Sequence, residues 1–112
     1  MDTLTKFFKA MSDETRLRII ALLSNKAYCV CELSEILELS QPKISKHLSK
    51  LRDIGFVKTK REAQFIFYTL SLEEKPLNEL LEVMLNNKKY YKTLEMDSKK
   101  TPTCTLNVGG KT

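Results

Sequence analysis

Apolar residues recur at intervals of three and four through the first fifty positions, the spacing of amphipathic helices. Leu4, Phe7, Phe8 and Met11 share one face of a helix from Asp2 to Met11. Ser12 offers an N-cap to the next helix, with Asp13 and Glu14 in its positive first turn. Leu17, Ile20, Ala21 and Leu23 form the buried stripe of that second helix before Ser24-Asn25 closes it. A third helix is predicted to start near Tyr28 to Cys31 and to bury Leu33, Ile36 and Leu37. Leu39 and Ser40 break the pattern, and Gln41-Pro42 opens a fourth helix with proline in its first turn. Ile44, Leu48 and Leu51 are its inward positions, and Gly55 is its stop.

The period then changes. Phe56-Val57-Lys58-Thr59-Lys60 and Gln64-Phe65-Ile66-Phe67-Tyr68-Thr69-Leu70 are rich in aromatic and β-branched residues, with Arg61-Glu62-Ala63 between them. That pattern predicts a β-hairpin with a basic flank. A last helix begins at Leu72, has Pro76 near its start, and carries Leu77, Leu80, Leu81, Met84 and Leu85 to about Lys92. Thr93 to Thr112 lacks a sustained stripe and contains Pro102, Gly109 and Gly110, which predicts a flexible tail of low order. The expected organisation is one domain over 1–92 and a C-terminal tail over 93–112. Its class is mainly α with a small β-hairpin: two short helices across a tight turn, then a hairpin, make a winged helix-turn-helix.

Composition narrows the function. At 112 residues, 42% hydrophobic and 29% charged, the chain is in the range of one small globular domain. That is too small for the deep pocket of a large enzyme. No apolar run approaches the roughly 20 residues of a membrane span, so no membrane association is expected. The start has no basic leader before an apolar core, and the cysteine count is odd, which argues against a closed disulfide framework. A cytoplasmic protein with free thiols is the expectation. Net charge is +5, but the segment from Gln41 to Arg61 holds seven cations against Asp53 alone, a net +6. Charge concentrated in this way suits phosphate neutralisation, and double-stranded DNA is the expected partner. With Ile44, Leu48 and Leu51 inward, Gln41, Ser45, Lys46 and Ser49 face base edges. Lys43 and Lys50 flank them as phosphate contacts, and Lys60, Arg61 and Gln64 of the hairpin meet the backbone or the minor groove. His47 on the same helix is a packing residue or a phosphate contact. DNA binding of this kind calls for no cofactor.

Cys29 and Cys31 stand at i and i+2, positions that diverge by about 200° on a regular helix. They converge if the helix start is extended. A helix N-terminus also favours the thiolate, and all-sulfur ligation favours thiophilic ions. Cys104 is the chain's one other thiol, able to fold back onto its own subunit or cross to a partner. Two readings of its role stay open, third ligand or plain tail residue, and solvent or a small thiol can also complete a dithiolate site. A thiol enzyme is disfavoured: there is no Cys-x-x-Cys, no phosphate-cradling loop beside a cysteine, and no histidine near one in sequence.

The stretch Phe7-Phe8-Lys9-Ala10-Met11-Ser12-Asp13-Glu14-Thr15-Arg16-Leu17-Arg18-Ile19 resembles the opening of the ArsR/SmtB metal-responsive repressors. Ser40-Gln41-Pro42-Lys43-Ile44-Ser45-Lys46-His47-Leu48 resembles their recognition helix, and Cys29-Val30-Cys31-Glu32-Leu33 their thiolate motif in the arsenic and cadmium/lead branches. The resemblance implies a homodimeric winged-helix repressor, paired through its first and last helices, that leaves its operator when a metal binds. It puts As(III) or Sb(III) first as inducer, with Cd(II) or Pb(II) behind. A thiol-redox repressor using the same cysteines is the other alternative. The chain departs from the family pattern at Ala63, where the wing tip usually has glycine, and at Ser34, where the arsenic branch often has a third cysteine. The family's other metal site, histidine and carboxylates on the last helix, has no counterpart because His47 is the only histidine.

Overall fold

A computed structural model of the chain describes residues 2–104. Its helices are α1 (Asp2–Met11), α2 (Glu14–Leu23), α3 (Val30–Leu37), α4 (Gln41–Asp53), α5 (Lys75–Asn86) and α6 (Lys92–Ser98), with a 3-10 turn at Lys88–Tyr90. The strands are β1 (Tyr28–Cys29), β2 (Val57–Glu62) and β3 (Phe65–Leu70). Phe7, Ile19, Ile20, Leu33, Ile36, Ile44, Leu48 and Leu51 form the core together with Leu77 and Leu81 of α5. The α3–α4 pair and the hairpin behind it are the predicted winged helix-turn-helix.

Helix ends follow local chemistry. The N-cap of α2 is Asp13 rather than Ser12: its extended backbone lets the carboxylate accept the Arg16 N–H at 3.0 Å. That bond holds the Asp13 carboxyl below its ordinary value, so this stabilisation is lost only as pH falls into the acidic range. Ser12 instead donates its hydroxyl to the Lys9 carbonyl at the end of α1. In α2 the fully buried side chains are Ile19, Ile20, Leu22 and Leu23, whereas Leu17 and Ala21 are half-buried. The helix packs on several sides at once, against α1, α3, α4 and α6, so its burial does not follow a single stripe. The Glu38 backbone closes α3 in the left-handed region, and Ser40 caps α4 by accepting the Lys43 N–H. Gly55, at φ +83°, ends α4 as expected. Its N–H reaches the Arg52 carbonyl and the Phe56 N–H the Leu51 carbonyl, both orphan groups of the last turn.

The sheet holds one strand more than the hairpin. Its order is β1-β3-β2, antiparallel throughout. Tyr28 pairs with Tyr68 and Cys29 with Phe67, so the two residues expected to open α3 belong to the wing's sheet instead. Arg61 and Glu62, expected in the hairpin connection, extend β2; Glu62 pairs with Phe65 and leaves Ala63-Gln64 as the loop. Ala63 takes φ +56°, a left-handed conformation that glycine adopts more cheaply, by about 1 kcal/mol.

Within the expected low-order tail, Thr93 to Cys104 are ordered. The predicted last helix ends at Asn86, and α6 begins after the 3-10 turn. Helix α6 buries Leu94 and Asp97, and Pro102 is buried beyond it. Asp97 is 3% exposed and accepts two hydrogen bonds from Arg18 of α2, at 2.8 and 3.0 Å. The planar guanidinium and the carboxylate match as two parallel bonds. Gly109 and Gly110 lie outside the described residues. Replacing Asp97 with Ala strands the Arg18 guanidinium in a mostly buried site. We expect a loss of about 2 kcal/mol in unfolding free energy by urea titration, with Asp97→Asn losing less. An unchanged midpoint would mean that α6 adds nothing to the fold.

Candidate metal centre and nucleic-acid interface

Cys29 is both the last residue of β1 and the N-cap of α3. Its backbone is extended, at φ −93° and ψ 170°, and this is what lets its side chain and that of Cys31 converge. The two sulfurs lie 3.5 Å apart. Glu32, itself buried, accepts the Cys29 N–H at 3.1 Å, while its own N–H points back at the Cys29 sulfur. This is a capping box with cysteine in the place of serine or threonine. Cys104 completes the cluster: all three sulfurs lie within 4.8 Å of one another. Cys31 and Cys104 are joined as a disulfide, with Cα atoms 6.3 Å apart, and Cys29 is the free thiol beside them.

A helix N-terminus predicts a depressed thiol pKa at Cys29, and the structure reverses that. Burial pushes the thiol up, the Glu32 N–H pulls it down, and the Glu32 carboxylate pushes it up again. Cys29 is 3% exposed. It is a protonated thiol at neutral pH, so any cation bound there must displace a proton. The reduced cluster offers soft donors alone, which fits a thiophilic ion and not a hard one.

The side chains predicted to face DNA are exposed, with one exception. Gln41, Lys43, Ser45, Lys46, Ser49 and Lys50 of α4 are all exposed, as are Lys60, Arg61 and Gln64 of the hairpin. Lys60 makes an exposed ion pair with Glu62 at 3.4 Å, too weak to withhold it from a phosphate. His47 differs from the set. It follows Ile44 by three residues and precedes Leu48, so it turns inward, half-buried, and its Nδ1 is enclosed with no hydrogen-bond partner among the described residues. Burial keeps its imidazole below the ordinary value and therefore neutral at pH 7. An open hollow of about 310 Å³ brings Cys29 and Cys31 together with Gln41 at the start of α4 and with Gln64, Phe65 and Tyr68 of the hairpin.

A family model described as "Bacterial regulatory protein, arsR family" matches residues 13–59, the α2–α4 unit and the first residues of β2. The arsenic resistance transcriptional regulator ArsR2 of Pseudomonas putida is 44% identical over 80 residues, 70% of each chain. The chain belongs to the ArsR family. Another relative, ArsR1 of the same organism, is 46% identical over 67 residues, 59% of this chain and 52% of that one. This ArsR-family chain therefore spans about half the length of ArsR1. Among solved structures, reduced HlyU from Vibrio cholerae superposes with a TM-score of 0.69 at 39% identity, over 80% of this chain and 90% of that one.

ArsR1 and ArsR2 are transcriptional regulators, and this ArsR-family member shares the winged-helix fold of the regulators it resembles. Among the described residues no helix is long and apolar enough to cross a membrane. Sequence reading missed Glu32, although Cys-x-x-Glu stands in the register of a capping box and signals it. It also missed the pairing of Cys29 with the wing, for which a two-residue strand leaves no periodic signal. The cysteine assignment has a direct test. Native, non-reduced protein should leave Cys29 unmodified by iodoacetamide. After denaturation, mass spectrometry should find one label per chain, rising to three once the disulfide is reduced. Labelling of all three without reductant would remove the Cys31–Cys104 bond.

Proposed function

We propose that the protein is a homodimeric transcriptional repressor, acting in the cytoplasm, that releases operator DNA when a thiophilic metalloid, arsenite or antimonite, occupies its cysteine cluster. The observation that carries this is the convergence of Cys29, Cys31 and Cys104 at the junction of β1 and α3, against a hollow shared with Gln41 and Gln64. The similarity to arsenic resistance regulators supports the metalloid. Cys29, Cys31 and Cys104 would hold the ion, in the reduced state, and the ion would supply a soft acid matched to three sulfurs. Cadmium or lead is the alternative occupant.

The chain has two routes from this site to DNA. One runs along α3 into the turn before α4, which presents Gln41, Ser45, Lys46 and Ser49. The other runs through the β1–β3 pairing, where Cys29 opposes Phe67, into the wing with Lys60, Arg61 and Gln64. Two recognition helices of a dimer must enter successive major grooves together, so a small tilt in each subunit is costly. Tenfold release needs about 1.4 kcal/mol of coupling between the sites. Dimer formation is supported by the exposed apolar side chains Phe8 on α1 and Leu80 and Val83 on α5, the last 62% exposed.

The Cys31–Cys104 bond favours a second reading, release or retention of DNA by thiol oxidation. Operator-release assays with arsenite and with mild peroxide, each on the reduced protein, separate the two. Cys29→Ser keeps a good helix cap and should bind operator normally but fail to release it with arsenite. Cys31→Ser should behave alike, and Cys104→Ser should release only at higher arsenite. If Cys29→Ser dissociates at the wild-type arsenite concentration, the metalloid reading is wrong; release by peroxide alone supports the redox one.

The DNA surface has its own test. Gln41→Ala and Ser45→Ala should each reduce discrimination between operator and random DNA by about 1–3 kcal/mol for every base the side chain reads, whereas Lys60→Ala should weaken both alike. The same measurements at several salt concentrations should show steep weakening with salt. Equal losses on both DNAs for Gln41→Ala would displace α4 from the major groove.

A further inference from the structure

Residues 100–104 run back along α3 and are fastened to it at both ends. Lys100 Nζ donates to the Ile36 carbonyl at 3.0 Å and pairs with Glu38 at 3.2 Å, at the negative C-terminal end of the helix. Pro102 is buried between the two fastenings. Toward the other end, the Glu35 carboxylate accepts the Cys104 N–H at 3.0 Å, and the Thr103 N–H reaches both of its oxygens, at 3.1 and 3.0 Å. The Thr103 hydroxyl adds a longer contact at 3.4 Å. Glu35 stands four residues after Cys31, one turn further along the same face of α3. A strap held there brings Cys104 over Cys31.

We propose that Glu35 is the positioning residue of the thiol cluster: its carboxylate latches the backbone of Thr103 and Cys104 and so sets the effective concentration of the Cys104 sulfur beside Cys29 and Cys31. Lys100 and the buried Pro102 already bring the strap onto α3, so what Glu35 adds is the placement of the last two residues, whose free swing would otherwise lower the local concentration of the Cys104 sulfur. Two adjacent N–H groups turned toward one carboxylate form a small anion-binding nest, and here the anion belongs to the protein. Glu35 is exposed, so α3 does not need it for burial. The latch's effect on ion affinity rests on the proposed three-sulfur site; its effect on the disulfide does not.

Both consequences are measurable on the 112-residue chain. In glutathione buffers, two glutathione thiols reduce the Cys31–Cys104 bond and leave as one glutathione disulfide, returning two protein thiols. The equilibrium reads the effective concentration of Cys104 with no ion present. Glu35→Ala should shift it about tenfold toward the dithiol, the worth of losing charge-assisted hydrogen bonds at an exposed position. Glu35→Gln keeps one acceptor oxygen and should shift it less. Arsenite affinity of the reduced protein, followed by near-ultraviolet absorbance, should fall by a similar factor in Glu35→Ala. In a Cys104→Ser background the same substitution should have no effect, since its action requires the Cys104 sulfur. Ion-free operator affinity should be unchanged.

An unaltered glutathione equilibrium in Glu35→Ala would overturn the latch, as would an equal loss of arsenite affinity with and without Cys104. If Cys104→Ser binds arsenite as tightly as the wild type while Glu35→Ala still shifts the disulfide, the latch stands and the three-sulfur site falls.

Discussion

Cys29 ends β1 and caps α3, and both roles require the extended backbone that it adopts. Its strand partner is Phe67 on the wing, and its cap partner is the buried Glu32. One residue therefore joins the sheet, the first helix of the DNA-reading pair and the sulfur cluster. A change in what Cys29 Sγ bonds acts on a backbone already held from two sides. A thiol on the exposed middle of a helix would lack that leverage, because neighbouring hydrogen bonds would absorb the strain locally.

The same cluster can close in two chemically exclusive ways. A disulfide between Cys31 and Cys104 uses up two donors, while the proposed three-sulfur site needs all of them reduced. Which state prevails depends on the surrounding redox poise as much as on affinity. Burial of Cys29 adds a second condition, since its proton must leave before it can donate. These couplings arise from the position of one thiol inside the sheet–helix junction and not from any unusual sequence around it.

The strap and α6 extend the domain beyond the helix-turn-helix unit. Asp97 and Arg18 hold α6 against α2, and Lys100 and Glu35 then carry the chain over α3. Each fastening is polar and pairs residues more than sixty positions apart. None produces the apolar stripe by which a helix announces itself in sequence. This is why Thr93 to Cys104 read as a tail: α6 is short and buries Leu94 and Asp97, whereas periodicity detects runs of apolar positions.

Elements whose stability is local or periodic were legible in the order of residues. Helices α1 to α4, the Gly55 stop, the hairpin and the exposed basic face of α4 follow from apolar spacing, turn chemistry and charge clustering, all of which act between near neighbours. The thiols were legible too, with the condition for Cys29 and Cys31 to converge, an extended helix start. Only the folded chain meets that condition, through β1 pairing with β3 across some forty residues. Folding likewise returns Cys104 to its own Cys31 and gives Glu32, Glu35 and Asp97 their partners. Those outcomes depend on which distant backbone and side-chain groups become neighbours once the core has packed, and no local pattern encodes that choice.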